Sequence, residues 1–182
     1  VVKNPKFESD AHYYLGHIAY QLEDYEGASS SFTRVSKQNQ QDDLRYFQVE
    51  MNFKLGRFKK ALMLGKVEIE KAEGETLSQL SKILGESHFN LEEYKAALRY
   101  LKNYKGRKGK WNHLDYFQLG YTYYKTNDYT KAIDQFNKII VKKDDLSQNA
   151  YYYLAECYLM NKSKLAALNA YKSASSMSYN PK

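Results

Sequence analysis

An alanine returns along this chain at an almost constant interval. Ala28, Ala61, Ala97, Ala132 and Ala167 are spaced 33, 36, 35 and 35 residues apart. An aromatic ring stands three positions before each of the first four, at Tyr25, Phe58, Tyr94 and Tyr129, and Lys164 takes that place in the fifth. A Leu-Gly or Leu-Ala pair lies about a dozen residues upstream of four of them, at Leu15-Gly16, Leu84-Gly85, Leu119-Gly120 and Leu154-Ala155. Self-similarity at a period of roughly 34 residues, carried by helical patterns, constrains the chain to stacked helix pairs. Such a stack has no natural catalytic cleft, but it offers an extended face to another chain.

The fourth unit shows the pattern best. Tyr116, Leu119, Gly120, Tyr123 and Tyr124 fall at i, i+3, i+4, i+7 and i+8, one broad helical face. Thr126-Asn127-Asp128 reads as a turn, and a second helix is expected from Tyr129 through Ala132 and Phe136 to Ile139-Ile140. Asp128, and Asp24 in the first unit, are placed to cap second helices by accepting a backbone N–H bond. Glycine inside a helix costs about 1 kcal/mol against alanine. Gly16, Gly85 and Gly120 therefore mark places where another helix passes closely. Leucine at Gly120 should destabilise the fold, whereas leucine at Gly109, in a loop, should be tolerated.

Composition narrows the function classes. Apolar residues make up 43% of the 182, with only two prolines and 19 tyrosines, which suits a folded, nearly continuous helical chain. Cys157 is the only cysteine, so an internal disulfide and a thiol-based zinc site are both excluded. No run of about 18 apolar residues is present, so no membrane-spanning helix is expected. The opening Val-Val-Lys-Asn-Pro reads as the start of a piece of a longer protein. Charge is uneven: residues 1–91 carry 12 Lys/Arg against 13 Asp/Glu, whereas residues 92–182 carry 16 against 8. The second half can attract anionic partners, although its basic residues are interspersed with acidic ones and no nucleic-acid motif organises them.

Tyr116-x-x-Leu119-Gly120-x-x-Tyr123, followed by Ala132-x-x-x-Phe136, resembles the signature of the tetratricopeptide repeat family. Leu15-Gly16 with Ala28 and Phe32, Leu84-Gly85 with Ala97 and Leu101, and Leu154-Ala155 with Tyr158, Ala167 and Tyr171 repeat it. The second unit is the weakest, with Gln48-Val49 in place of Leu-Gly but Gly56-Arg57-Phe58 and Ala61 retained. The resemblance implies an all-α fold, a right-handed superhelical solenoid of five helix-turn-helix repeats. These repeats are 9–41, 42–76, 77–111, 112–146 and 147–182 of a single array, with 1–8 a remnant of a preceding repeat. Pro5 and Pro181 fall where repeats of this family close. Tyr13-Tyr14-Leu15-Gly16-His17, Gly85-Glu86-Ser87 and Lys105-Gly106-Arg107-Lys108-Gly109-Lys110-Trp111 further resemble long multi-repeat proteins of bacterial cell envelopes. That likeness implies an exported scaffold in the periplasm or envelope, with a cytoplasmic adaptor as the alternative.

In this family the concave face is lined by first helices, at the positions two before, two after and five after each leucine. Here these are Tyr13, His17 and Tyr20; Tyr46, Glu50 and Phe53; Lys82, Glu86 and Phe89; Phe117, Tyr121 and Tyr124; and Tyr152, Glu156 and Leu159. Aromatic side chains, nine of these fifteen, give large contact area at low entropy cost. Packing between neighbouring first helices accounts for part of that enrichment, above all at Tyr20, Phe53, Phe89 and Tyr124. The resemblance thus implies a groove for an extended peptide or a partner helix. The carboxylate clamp by which some relatives grip chaperone tails is absent, since Lys82 is followed by Glu86 rather than by a second cation.

Other chemistry is sparse. His12, His17, His88 and His113 have no companions at metal-ligand spacing, and Cys157, among tyrosines and Leu154, reads as a packed thiol. Gly106-Arg107-Lys108-Gly109-Lys110 lacks the spacing of a phosphate loop. It reads as an exposed connection in which Gly106 ends a helix. With Lys102 and Lys105 it forms a basic loop able to attract anions, nucleic acid included. No cofactor, metal or catalytic group is implied. Leu165, Leu168, Tyr171 and Met177 at one end, and Tyr14, Ile18 and Leu22 at the other, should leave apolar strips that promote end-to-end self-association of the truncated array.

Overall fold

The computed structural model describes residues 5–179. They form ten α-helices, and no β-strand occurs among them. The helices follow one another as five pairs: α1 (Pro5–Gln21) and α2 (Tyr25–Phe32), α3 (Gln38–Lys54) and α4 (Phe58–Glu68), α5 (Gly74–Asn90) and α6 (Tyr94–Leu101), α7 (His113–Lys125) and α8 (Tyr129–Phe136), α9 (Asp145–Met160) and α10 (Lys164–Ser175). Pro181 and the first four residues of the expected 1–8 remnant lie outside the described residues.

One backbone device closes all five pairs. The middle residue of each connection is left-handed: Glu23 (φ 60°), Gly56 (68°), Glu92 (59°), Asn127 (63°) and Lys162 (60°). The next residue then donates its N–H back to a carbonyl of the first helix: Asp24 to Ala19 at 2.9 Å, Arg57 to Asn52 at 2.8 Å, Glu93 to His88 at 2.9 Å, Asp128 to Tyr123 at 2.9 Å and Ser163 to Tyr158 at 2.8 Å. This is the Schellman stop, which satisfies carbonyls that a helix end leaves without partners. Asp24 and Asp128 also cap the following helix, accepting from Gly27 N–H at 2.9 Å and Lys131 N–H at 3.3 Å.

The chain divides into two compact units, Val1–Ser87 and His88–Lys182, with the boundary inside α5. In the first unit Ala28, Phe32, Val35, Leu44 and Met51 form one buried cluster, and Val49, Leu80 and Ile83 another. In the second a larger cluster gathers Leu119, Tyr123, Phe136, Ile139, Leu154 and Cys157. The recurring alanines are buried without exception, at 0–1% exposure. Gly16 lies against the ring of Phe32, and Gly120 against that of Phe136, sixteen residues on in both cases. Gly65 lies against Leu84 and Val49 in the same way.

Three local expectations change. Helix α8 ends at Phe136 rather than continuing through Ile140. The β-branched run that follows is a weak helix former, and α9 takes its carbonyls: Ser147 Oγ donates to Ile139 O at 2.8 Å and Tyr151 OH to Ile140 O at 3.4 Å. Gly106 does not end a helix. Helix α6 stops at Leu101, and Gly106 enters a tight turn in which Lys110 N–H donates to Arg107 O at 3.1 Å. Lys108 (φ 52°) and Gly109 (φ 74°) are both left-handed, the signature of a type I′ turn. Gly109 is therefore not a neutral loop position: any side chain there meets backbone strain, though it meets no neighbouring atoms.

Candidate functional site

Helix α7 carries aromatic residues on two adjoining sides. Phe117, Tyr121 and Tyr124 recur at i, i+4 and i+7 on one side, and Tyr116, Leu119 and Tyr123 at i, i+3 and i+7 on the other. At 100° per residue the two triplets point well apart. The first triplet holds three of the expected groove residues.

On that side Tyr121 is the hub. Its ring centroid lies 4.9 Å from Tyr153, 5.7 Å from Phe89, 5.8 Å from Tyr94 and 6.0 Å from Tyr124, and it stacks on Phe117 at 6.2 Å. Most of these pairs are edge-to-face, the arrangement that ring quadrupoles favour. Five rings, those of Phe89, Tyr94, Phe117, Tyr121 and Tyr153, line a shallow pocket of about 410 Å³, with Asn90, Glu92 and Asn149 supplying polar edges. Lys125 Nζ stands 5.4 Å from the Tyr94 centroid and 5.6 Å from that of Tyr121, within cation–π range. Burial, then the neighbouring Tyr121, pushes the Tyr94 and Tyr153 phenols up to about 12, so both are neutral donors at physiological pH.

The expected groove residues therefore fare differently. Phe89, Phe117 and Tyr121 converge on the pocket. Tyr124 packs beside it at 5.3 Å from Tyr153. Tyr152, half exposed, meets Tyr171 at 5.9 Å, while the Tyr171 hydroxyl donates to Glu156. Leu159 is exposed. In the first unit Tyr20 donates its hydroxyl to Glu50 Oε2 at 2.6 Å and packs on Phe47 at 5.1 Å. His17 is wedged between Tyr13, Phe32 and Phe47, at 4.5, 5.2 and 5.0 Å. Tyr46 lies against Phe47, and Phe53 against Phe58, both at 5.9 Å. Lys82 and Glu86 pair at 3.8 Å one helical turn apart. Glu50 thus serves as a hydrogen-bond acceptor within the fold rather than as a bare acidic spot.

Tyr94 and Tyr153 were not anticipated as site residues. Tyr94 reads from sequence as the ring that precedes an alanine, and Tyr153 as one of three consecutive tyrosines. Only the position immediately before the repeat leucine singles out Tyr153. His88 is structural in setting: it is buried, stacks on Tyr100 at 5.5 Å and shares a hydrogen bond with Glu93 Oε2 at 2.6 Å. Cys157 is fully buried, and burial, then the Glu156 charge, raises its thiol to about 12.

The basic loop divides in two. Lys105, Arg107, Lys108 and Lys110 are exposed on or beside the type I′ turn, whereas Lys102 lines a separate recess on the second side of α7. Among the described residues no group of three or more His, Cys, Asp or Glu could hold a metal ion, and no helix is long and apolar enough to cross a membrane.

Comparison with known proteins agrees with this architecture. Residues 13–75 and 117–178 match the family model described as tetratricopeptide repeat. Solved structures of MamA are similar in fold. A MamA point mutant superposes with a TM-score of 0.79 at 17% identity, over 96% of this chain and 100% of that one. MamA from Desulfovibrio magneticus RS-1 gives 0.70 at 14% identity, over 93% and 94%. A further MamA crystal structure gives 0.64 at 20% identity, over 92% and 90%. No curated protein matches. With the family model covering more than half of the residues and the helix pairs closing as described, the fold class is the all-α solenoid expected from the sequence, and the chain belongs to the tetratricopeptide repeat family.

Proposed function

We propose that this chain is a protein-interaction scaffold whose second unit holds the anchor side chain of an extended peptide or partner helix in the pocket around Tyr121. The observation that carries this reading is the convergence of five aromatic rings on a recess of about 410 Å³, a volume suited to one large apolar side chain. Rigid rings lose little entropy on binding. In the first unit, taken by itself, the expected groove positions Tyr13, Tyr46 and Phe53 are half exposed.

The resemblance of segments 13–17, 85–87 and 105–111 to long repeat proteins of bacterial envelopes supports a place in an envelope assembly. Fractionation of cells that make the full-length protein tests this. Recovery in the cytosol replaces the envelope reading with that of a cytoplasmic adaptor.

Selection of binders from a displayed peptide library, followed by capture assays, tests the pocket. Tyr121→Ala should lose the selected peptides, whereas Tyr121→Phe, which keeps the ring contacts, should retain them. Undiminished capture by a folded Tyr121→Ala variant, with folding checked by circular dichroism, moves the site elsewhere.

A further inference from the structure

The second side of α7 carries its own recess, of about 500 Å³. Tyr116, Leu119 and Tyr123 form one wall, Trp111 another, and the ends of α6 and α8 supply Lys102 and Lys138. Lys102 is the C-cap residue just after α6, and Lys138 follows Asn137, the C-cap of α8, so both cations sit where free helix carbonyls favour positive charge. Lys138 Nζ lies 4.8 Å from the Tyr116 centroid and 3.0 Å from Gln135 Oε1. Among the described residues neither Lys102 nor Lys138 makes an ion pair with a carboxylate, and no carboxylate lines the recess. The exposed cations of the type I′ turn lead by chain directly into Trp111.

We infer that this recess is a second docking site, for an acidic peptide segment that inserts one bulky aliphatic side chain between Trp111 and Tyr123. The apolar walls provide the hydrophobic contact. The charge complementarity comes from Lys102 and Lys138, in a half of the chain with twice as many basic as acidic residues. A peptide fits better than a single nucleic-acid strand. Sequence-tolerant strand binding needs successive stacking faces along a phosphate track, and here Tyr116 and Trp111 already pack against each other, 5.2 Å apart and tilted by 36°, with Tyr104 behind at 5.6 Å. The recess is one pocket rather than a track.

Trp111 is the only tryptophan, so its emission reports this site alone. The probes are a heptapeptide of Asp and Glu around a central Leu, the same peptide with central Ala, a Lys heptapeptide around Leu, and oligothymidylate. The acidic Leu peptide should change Trp111 emission saturably, and the Ala peptide should bind more weakly. Lys102→Gln with Lys138→Gln removes both charges while keeping polar side chains, and should weaken binding by roughly tenfold and flatten its salt dependence. No emission change, an equal response to the Lys peptide, or unchanged affinity in the double variant overturns the inference. A response to oligothymidylate as strong as to the acidic peptide overturns it in favour of nucleic acid.

Discussion

The ring of Phe136 occupies the space that a side chain on Gly120 would need: a Cβ built on Gly120 would lie 2.9 Å from Phe136 Cε1 and 3.1 Å from Gln135 Cβ. The Phe136 ring has no room to retreat, since Phe136 is fully buried. Gly120→Leu should therefore cost about 1–3 kcal/mol or more through overpacking. Gly109→Leu should cost less, roughly 1–2 kcal/mol, and for a different reason, its left-handed backbone. Denaturant melts of the two variants check the ranking. A smaller loss for Gly120→Leu than for Gly109→Leu contradicts the close crossing.

Lys162 holds a left-handed conformation that glycine adopts without strain, as Gly56 does at the equivalent turn. Lys162→Gly should stabilise the chain by roughly 0.5–1 kcal/mol, the relief of strain less the added chain entropy of glycine. Thermal unfolding should move up by about 2–4 °C per kcal/mol gained. The reverse exchange, Gly56→Lys, should move it down.

Cys157 is inaccessible, and its thiol is held near 12, so it carries almost no thiolate at neutral pH. A thiol reagent should leave the native protein unlabelled at pH 8 and label it stoichiometrically in denaturant. Rapid native labelling would mean that α9 and α10 open readily.

The tyrosine cluster gives an alkaline limit. A free phenol ionises near pH 10, whereas Tyr94 and Tyr153 are held up to about 12, and burial also raises Tyr20, Tyr46 and Tyr171. Folding resists their ionisation. The stability linked to these protons is complete below about pH 10 and falls as pH rises towards 12. Tyrosinate absorbance should lag behind that of the unfolded chain and then rise together with loss of helical circular dichroism. Free titration of all phenols near pH 10 in folded protein contradicts the packing.

Apolar side chains are exposed on α1, in the turn just after it and on α10. Phe7, Tyr14, Ile18 and Leu22 are 69, 64, 55 and 74% exposed, and Leu165 is 73% exposed. Stripes of this kind favour association. Sedimentation at several concentrations should show reversible self-association of this chain, weakened by Ile18→Glu with Leu22→Glu. A strict monomer at high concentration would contradict it.

The elements were legible in the sequence wherever the signal was local. Asp128 announces a cap, and Gly120 a close crossing, because both follow from neighbours within one helix pair. The aromatic pocket was only partly legible. Phe117 and Tyr121 follow from helical register, but Tyr153 joins them from α9, and no spacing within α9 forecasts that approach. Glu92 and Lys162 gave no hint of left-handed backbone, since charged side chains do not mark it as glycine or asparagine does. Gly106 misled in the opposite direction, because a glycine near a helix end suggests a stop, while its turn in fact begins beyond that end.

The left-handed positions recur at the same intervals as the alanines, 33, 36, 35 and 35 residues. Their closing bonds run from backbone to backbone, so no turn depends on a particular side chain of a neighbouring pair. At the level of the gene, a duplication or deletion of about 105 base pairs, one interval of 35 codons, brings its own closure with it. Array length is then free to change in whole hairpins, and the interfaces between hairpins, where Gly65 meets Leu84, are what selection must keep compatible.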